Sequence, residues 1–406
     1  MDFPPHRFAN LDTEVVRGVE AARLQRVREQ TARHGLSAVV LFDPVNIRYA
    51  CGARNMQVYS ARNPARYLFV PVEGPVVLFE YQTCEHLAAG LPTVDEVRPA
   101  RTIMPLFSGA RHLDHLRAFV AEIGELVDRN PSFGRRIGIE ATTTGAVLAL
   151  EAAGFDVVDA QIPIEKARAI KVPGEIEMIR ASLRLTEAGV AAMERALRPG
   201  ITETSLWSNL HQTLIAGGGD YIETRLLSSG PRTNPWFQET SERVIADGDL
   251  VAFDTDALGC YGYYSDFSRT FLAGDGQPSG DQRTIYALAR EQIEYNIGLL
   301  RPGIGFREYA ERAWPIPEPY RKHRYFTLTH GCGMTGEYPI LPHILDWDAV
   351  GHDDEAVVQP NMTLCVESFI GHEAGGEGVK LEEQVLITES GVERLSHYGY
   401  DERLSA

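Results

Sequence analysis

Carboxylates set inside apolar runs are the residues of this chain best suited to chemistry. In 251-VAFDTDAL-258, Asp254 and Asp256 stand two residues apart, which on a strand puts both on one face. Aspartate is depleted in strands and costly to bury unpaired, so such a pair calls for a cation or several donors. The next run supplies Asp266, and Gly259 and Gly262 can form the reversal that gathers all three. Glu367 lies in 362-MTLCVESFI-370, and either Glu382 or Glu383 repeats the anomaly in 379-VKLEEQVLIT-388. A neutral imidazole to complete the set is offered by His330, which follows a short β-prone run in 328-LTHGCGMTG-336. Oxygen-rich sites with one imidazole suit Mn²⁺, Fe²⁺, Co²⁺ or Zn²⁺. Five carboxylates overbalance one divalent ion and nearly balance two, so the pattern predicts two metals with bridging carboxylates, about 3.5–4 Å apart.

These residues need elements to hold them. Residues 12–34 read as an amphipathic helix ending at Gly35, 37–43 as a strand, 65–81 as two strands around Glu73-Gly74, and 111–128 as a helix. Strand, helix and strand follow over 136–140, 142–154 and 155–160, so residues 1–165 are expected to form an α/β domain. A break at Val172-Pro173-Gly174 opens a second domain, 166–406. Its helices (175–197, 202–215, 281–300) group apart from strand-like runs at 224–230, 249–258, 261–273, 362–370 and 379–388, which predicts an α+β arrangement with a mostly antiparallel sheet.

With 406 residues, two domains is the natural division. The 56 acidic residues exceed the 39 basic ones, and a net charge of −17 opposes binding to a phosphate backbone, so no nucleic-acid partner is expected. No apolar run approaches the ~20 residues of a membrane span, and the start of the sequence shows no secretory or transit pattern, so the expected location is cytoplasmic with no membrane partner. The five dispersed cysteines contain no CxxC pair and read as reduced, packing thiols.

The segments FDTDALGCYGYYSDFSRTF, HGCG, CVES and KLEEQ, in that order, resemble the metal-binding sequence of the creatinase/prolidase/methionine aminopeptidase superfamily. The resemblance implies a small N-terminal creatinase-like α/β domain, a C-terminal "pita-bread" catalytic domain and a homodimer. It implies Asp256, Asp266, His330, Glu367 and Glu382 as metal ligands, choosing Glu382 over Glu383. Within the superfamily, 41-LFDPVNIRY-49, 55-NMQ-57 and 221-YIETRLLSSGPRTNPWFQE-239, with Asp254 as an additional carboxylate, are similar to lyases that cleave dimethylsulfoniopropionate (DMSP).

Two departures bear on the reaction. Peptidases of the superfamily carry two further histidines, where this chain has Gln238 with Glu239, and Glu337. The lyases' general base is an aspartate six residues after the ligand histidine, where this chain has Gly336. The resemblance matches Tyr325 to a substrate-pocket tyrosine, and Glu337, beside the vacant position, is the candidate base. The expected reaction is elimination from a small carboxylate substrate, breaking a C–S bond to give acrylate and dimethyl sulfide. The alternative is hydrolysis of a small amide or Xaa-Pro bond at the same metals, with Tyr325 or His343 as oxyanion stabiliser; a third is a metal-binding homologue without activity. Arg48, Tyr49 and Asn55, on a segment resembling one that reaches the partner's active site in creatinase-like dimers, and Trp236 are candidate substrate-pocket residues.

Overall fold

The computed structural model describes residues 8–350 and 353–405. The first seven residues, included in the reading for targeting signals, lie outside it. Two compact units emerge, one of Asp12–Arg168 and one from Ala169 onward. The described residues before Asp12 belong with the second unit, where the Leu11 N–H donates to Tyr261 Oη at 2.7 Å.

In the first unit, a helix runs over Thr13–Arg33 because Asp12 caps its start, accepting from the Glu14 N–H. Gly35, at φ +65°, then turns the chain into β1 (Ala38–Leu41). The hairpin forms as β2 (Tyr67–Pro71) and β3 (Val77–Glu80), with Tyr67 opposite Phe79. With β4 (Glu96–Pro99), β5 (Arg136–Ile139) and β6 (Asp156–Asp159), these build one mixed sheet in the order β4-β3-β2-β1-β5-β6. The helix His112–Arg129 lays Leu116, Phe119, Ile123 and Leu126 on Phe42, Tyr67, Phe69 and Ile137 of the same core. A short helix, Pro44–Cys51, was not foreseen; Asp43 caps it and Pro44 occupies its first turn, a signal that was present in the residues.

The second unit opens with the helices Pro173–Ala196 and Glu203–Ala216. Its strands are β7 (Tyr221–Ile222), β8 (Leu227–Ser229), β9 (Leu250–Asp254), β10 (Ala257–Leu258), β11 (Tyr264–Ser265) and β12 (Ser268–Leu272). They are followed by β13 (Thr327–Cys332), β14 (Gly336–Pro342), β15 (Thr363–Gly371), β16 (Gly378–Ile387) and β17 (Val392–Arg394). Every strand pair in this unit is antiparallel. The sheets run β11-β10-β7, β12-β9-β8 and β14-β13-β15-β16-β17.

Side-chain alternation decides which face of the largest sheet is dry. Leu364, Val366 and Ile370 of β15, with Leu381 and Val385 of β16, join Ile285, Ala289 and Ile293 of the helix Gly280–Leu299 in one core. The intervening residues Cys365 and Glu367 on β15, and Lys380, Glu382 and Gln384 on β16, therefore share the opposite face, with Glu367 directly across from Glu382.

One expectation is corrected. Asp254 and Asp256 do not lie on one continuous strand: β9 ends at Asp254 and Asp256 adopts φ +38° before β10. The break, rather than strand periodicity, turns both carboxylates the same way. Gly259 does sit at the reversal between β10 and β11, for a packing reason. A Cβ there would lie 2.1 Å from Ser182 Oγ of the Pro173–Ala196 helix.

Candidate metal centre

The six predicted ligands fall together in the second unit, the five carboxylates buried and His330 partly exposed. One group, Asp254, Asp256 and Asp266, comes from the end of β9, the φ-positive break after it and the turn before β12. A second, Asp266, His330, Cys365 and Glu382, comes from that turn and from β13, β15 and β16. Asp266 belongs to both. Glu367 stands beside them, its Oε1 at 3.4 Å from His330 Nε2.

The imidazole is oriented. His330 Nδ1 lies 2.9 Å from the Gly331 carbonyl oxygen, so Nδ1 donates there and Nε2 is the nitrogen turned inward, the one that would give its lone pair to a metal. Nε2 is 3.4, 3.5 and 3.6 Å from oxygens of Glu367, Glu382 and Asp266. Tetrahedral ligands at about 2.1 Å from a zinc-sized ion are separated by about 3.4 Å, so this spacing suits an ion between them. Asp266 Oδ1 and Glu382 Oε1 are buried with no hydrogen-bond partner among the described residues. Buried carboxylate oxygens aimed at a common point without donors fit a divalent cation.

The remaining oxygens are held. Tyr264 Oη donates to Asp256 Oδ1 at 2.6 Å, and Thr224 Oγ1 donates to Asp256 Oδ2. Ser268 Oγ lies 2.9 Å from Asp254 Oδ1 and 2.8 Å from Glu382 Oε2. Lys380, fully buried, projects its ammonium into the cluster: Nζ is 2.6 Å from Glu367 Oε2, 3.0 Å from Glu382 Oε2 and 3.1 Å from Asp254 Oδ2. Sequence reasoning missed this residue, although a lysine two positions before Glu382 in an otherwise apolar strand must share its face. Two divalent ions and Lys380 together carry five positive charges, matching the five carboxylates.

The same crowding shifts the acid–base behaviour of the cluster. Burial and the charge of Asp254 push Asp256 up to about 6. Burial, with Asp254 and Glu367 nearby, pushes Glu382 up to about 8. Asp254 goes the other way, to about 2, because Lys380 and hydrogen bonds outweigh its burial. Burial alone would depress His330, but Glu367 and Glu382 outweigh it and raise it well above the usual imidazole range.

Around the cluster stands an aromatic wall. Lys380 Nζ lies 5.1 Å from the centre of the Tyr325 ring and 5.7 Å from that of Trp236. Phe237 stacks on Tyr325 at 5.1 Å, and Phe369 packs against Trp236. Tyr325 and Trp236 are therefore beside the cluster.

Glu337 is not. It is buried in an ion pair with Lys171, and its carboxylate fills the space where a Cβ on Gly333 would stand. Opposite Cys332 on β13, Gly336 instead faces the imidazole, where a Cβ would meet His330 Nδ1 at 3.8 Å. Tyr49 and Asn55 are likewise engaged elsewhere, in the first unit: Tyr49 Oη donates to the Ala167 carbonyl and Asn55 Nδ2 to Glu80. Arg48 donates to Gln57 at 3.3 Å. His343 caps a short turn by accepting from the Leu345 N–H, a structural role. Glu383 turns away from the cluster to Arg269 and Tyr400, which leaves Glu382 as the one of the two that faces it. The Arg269 guanidinium also donates to the Glu382 carbonyl and to the carbonyls of Tyr398 and Gly399.

Residues 177–389 match the metallopeptidase family M24 model, and residues 23–170 match that of the creatinase/prolidase N-terminal domain. The chain belongs to metallopeptidase family M24. Among relatives in the family, dimethylsulfoniopropionate lyase DddP of Roseovarius nubinhibens is 36% identical over 389 residues, covering 94% of this chain and 86% of that protein. DddP of Roseobacter denitrificans is 34% identical, covering 99% and 91%. The Xaa-Pro dipeptidase of Pyrococcus furiosus is 30% identical over 57% of this chain and 64% of that protein. The Xaa-Pro dipeptidase from Bacillus anthracis superposes with a TM-score of 0.73 at 20% identity, covering 94% of this chain and 99% of that one, a likeness of fold. Among the described residues, no helix of this M24 chain is long and apolar enough to cross a membrane.

Proposed function

We propose that this M24 chain is a metal-dependent lyase that eliminates dimethyl sulfide from DMSP or a close sulfonium carboxylate. Supporting this reading above all is the similarity to two DddP lyases over 94% and 99% of the chain, against 57% for the Xaa-Pro dipeptidase. In the balanced reaction, the carbon next to the carboxylate loses a proton, the C–S bond breaks with its electron pair leaving on sulfur, and acrylate and dimethyl sulfide separate. Asp254, Asp256, Asp266, His330, Glu367 and Glu382 would hold two divalent transition metals (Fe, Mn, Zn or Co). Bound there, the metals supply Lewis acidity at the substrate carboxylate.

The chain's own residues do the rest. Tyr325 and Trp236 already flank one cation, the Lys380 ammonium, at 5.1 and 5.7 Å, and their ring faces suit a sulfonium in the same way. The buried Phe369 behind Trp236 keeps that wall dry. Neither Gly336 nor the Lys171-bound Glu337 offers a proton acceptor in this arrangement, so the reading entails a slow lyase. A homodimer is part of it, supported by Met56, Val58 and Tyr59, about half exposed on one short segment. Native mass spectrometry tests that part.

The second reading, hydrolysis of a small amide or Xaa-Pro bond, is favoured by the M24 match and the dipeptidase relative. One assay separates them: metal-loaded protein is given DMSP, with headspace dimethyl sulfide measured, beside Xaa-Pro dipeptides and small amides. Sulfide release above that of the chelated protein supports the lyase; its absence with dipeptide cleavage supports the hydrolase.

A further inference from the structure

Cys365 packs in a small apolar cluster with Leu258, Tyr264 and Cys332, and its sulfur also borders the carboxylates. It lies on β15 directly opposite His330 of β13, so both side chains leave the same face of the sheet. The thiol is fully buried, and its sulfur lies within 4.8 Å of a ligand atom on each of Asp266, His330 and Glu382, which are equally close to one another. Its contacts are weak ones, a long 3.6 Å hydrogen bond to the Asp266 carbonyl and the neighbouring thiol of Cys332, so the sulfur is not committed to a strong partner there. The other residue in position to complete that group, Glu367, has one oxygen held by Lys380 at 2.6 Å. Asp266 Oδ1 and Glu382 Oε1, both buried and unpartnered among the described residues, face the same space.

We propose that Cys365 is a ligand, through sulfur, to the metal held by Asp266, His330 and Glu382, and that it biases this half of the centre toward thiophilic ions. The inference rests on the metal-centre reading above and deepens it. One sulfur, one nitrogen and two oxygens make a four-fold set of the kind Zn²⁺ and Co²⁺ accept, whereas carboxylate and water alone suit Mn²⁺. When the metal–sulfur bond forms, the thiol proton leaves to solvent. The group made of Asp254, Asp256 and Asp266 contains no sulfur, so the two halves of the centre differ in softness. In mixed-metal solution they should load different ions.

The test uses the full chain loaded with Zn²⁺ or Co²⁺ after chelation, with bound metal counted by elemental analysis. X-ray absorption at the zinc edge should show a sulfur scatterer at about 2.3 Å, and the cobalt form a near-ultraviolet sulfur-to-metal charge-transfer band. Cys365→Ser should abolish both signals and shift Zn²⁺-over-Mn²⁺ preference at least tenfold toward Mn²⁺; Cys332→Ser, outside the ligand group, should keep both. Stoichiometric metal with only nitrogen and oxygen scatterers in the unmodified protein overturns the role of Cys365 and leaves the metal centre standing. Absence of any bound metal overturns both. Because the unmodified protein supplies the deciding spectra, a misfolded variant does not rescue the proposal.

Discussion

Lys380 Nζ lies 2.6 Å from Glu367 Oε2, a buried cation set among carboxylates that also face His330. Replacing it by methionine keeps the stem and removes the charge. Breaking a buried pair from one side costs about 3–5 kcal/mol, so Lys380→Met should lower the melting temperature of chelated protein sharply. Added Mn²⁺ or Zn²⁺ should recover much of that loss. Thermal denaturation with and without metal measures both effects.

Asp266 belongs to both ligand groups, so its loss should affect both ions at once. Asp266→Asn is expected to reduce bound metal from two equivalents to fewer than one, while Asp254→Asn leaves at least one. Elemental analysis after gel filtration decides.

Gly336 is exposed, and a Cβ there meets only the His330 ring, at 3.8 and 3.9 Å, which is ordinary contact. Gly336→Asp should therefore fold and place a carboxylate beside the centre. General-base catalysis is worth about 10²–10⁴-fold, so dimethyl sulfide release should rise at least tenfold. An unchanged or lower rate in a folded, metal-loaded variant argues against elimination.

Glu337 and Lys171 form a buried pair with both side chains about 1% exposed. Glu337→Gln should destabilise by about 2–4 kcal/mol yet retain turnover in the folded fraction. A loss of turnover by more than tenfold at unchanged folded fraction would restore Glu337 as the base.

In the first unit, burial and the neighbouring Asp43 push Glu140 from 4.5 up to about 8. A carboxyl whose folded value is raised stabilises fully below its unfolded value, and that contribution is lost as pH rises through the folded one. Wild-type stability should fall between pH 4.5 and 8, by on the order of 2–4 kcal/mol from this group. Glu140→Gln, still able to accept from Asn46, should flatten that decline; denaturation at several pH values reads it.

Much of this architecture was legible in the residues. The helix at Thr13–Arg33 and the hairpin at 67–80 announced themselves through a capping aspartate and a Glu-Gly turn. Strand β14 did not, since 336-GEYPILP-342 carries two prolines and a leading glycine, and only pairing with β13 makes it extended. At the centre, acids in apolar strands marked Asp254, Asp266 and Glu367, because burial makes such residues conspicuous, whereas the adjacent Glu382 and Glu383 stayed open until the family resemblance chose between them. Lys380 and Cys365 escaped notice for the converse reason: a lone lysine reads as surface and a lone cysteine as filler until strand register shows what they face. The pairing of Glu337 with Lys171 spans 166 residues, and no local pattern encodes so distant a partner.

Arg269 grips the Glu382 carbonyl with one nitrogen and the carbonyls of Tyr398 and Gly399 with others. The tail is thus moored to the same buried guanidinium that steadies the strand carrying Glu382. Trimming residues 398–405 would leave Arg269 with Glu383 but without its carbonyl partners on the tail, and would slacken Glu382 from behind, so damage far along the chain would surface as a chemical defect.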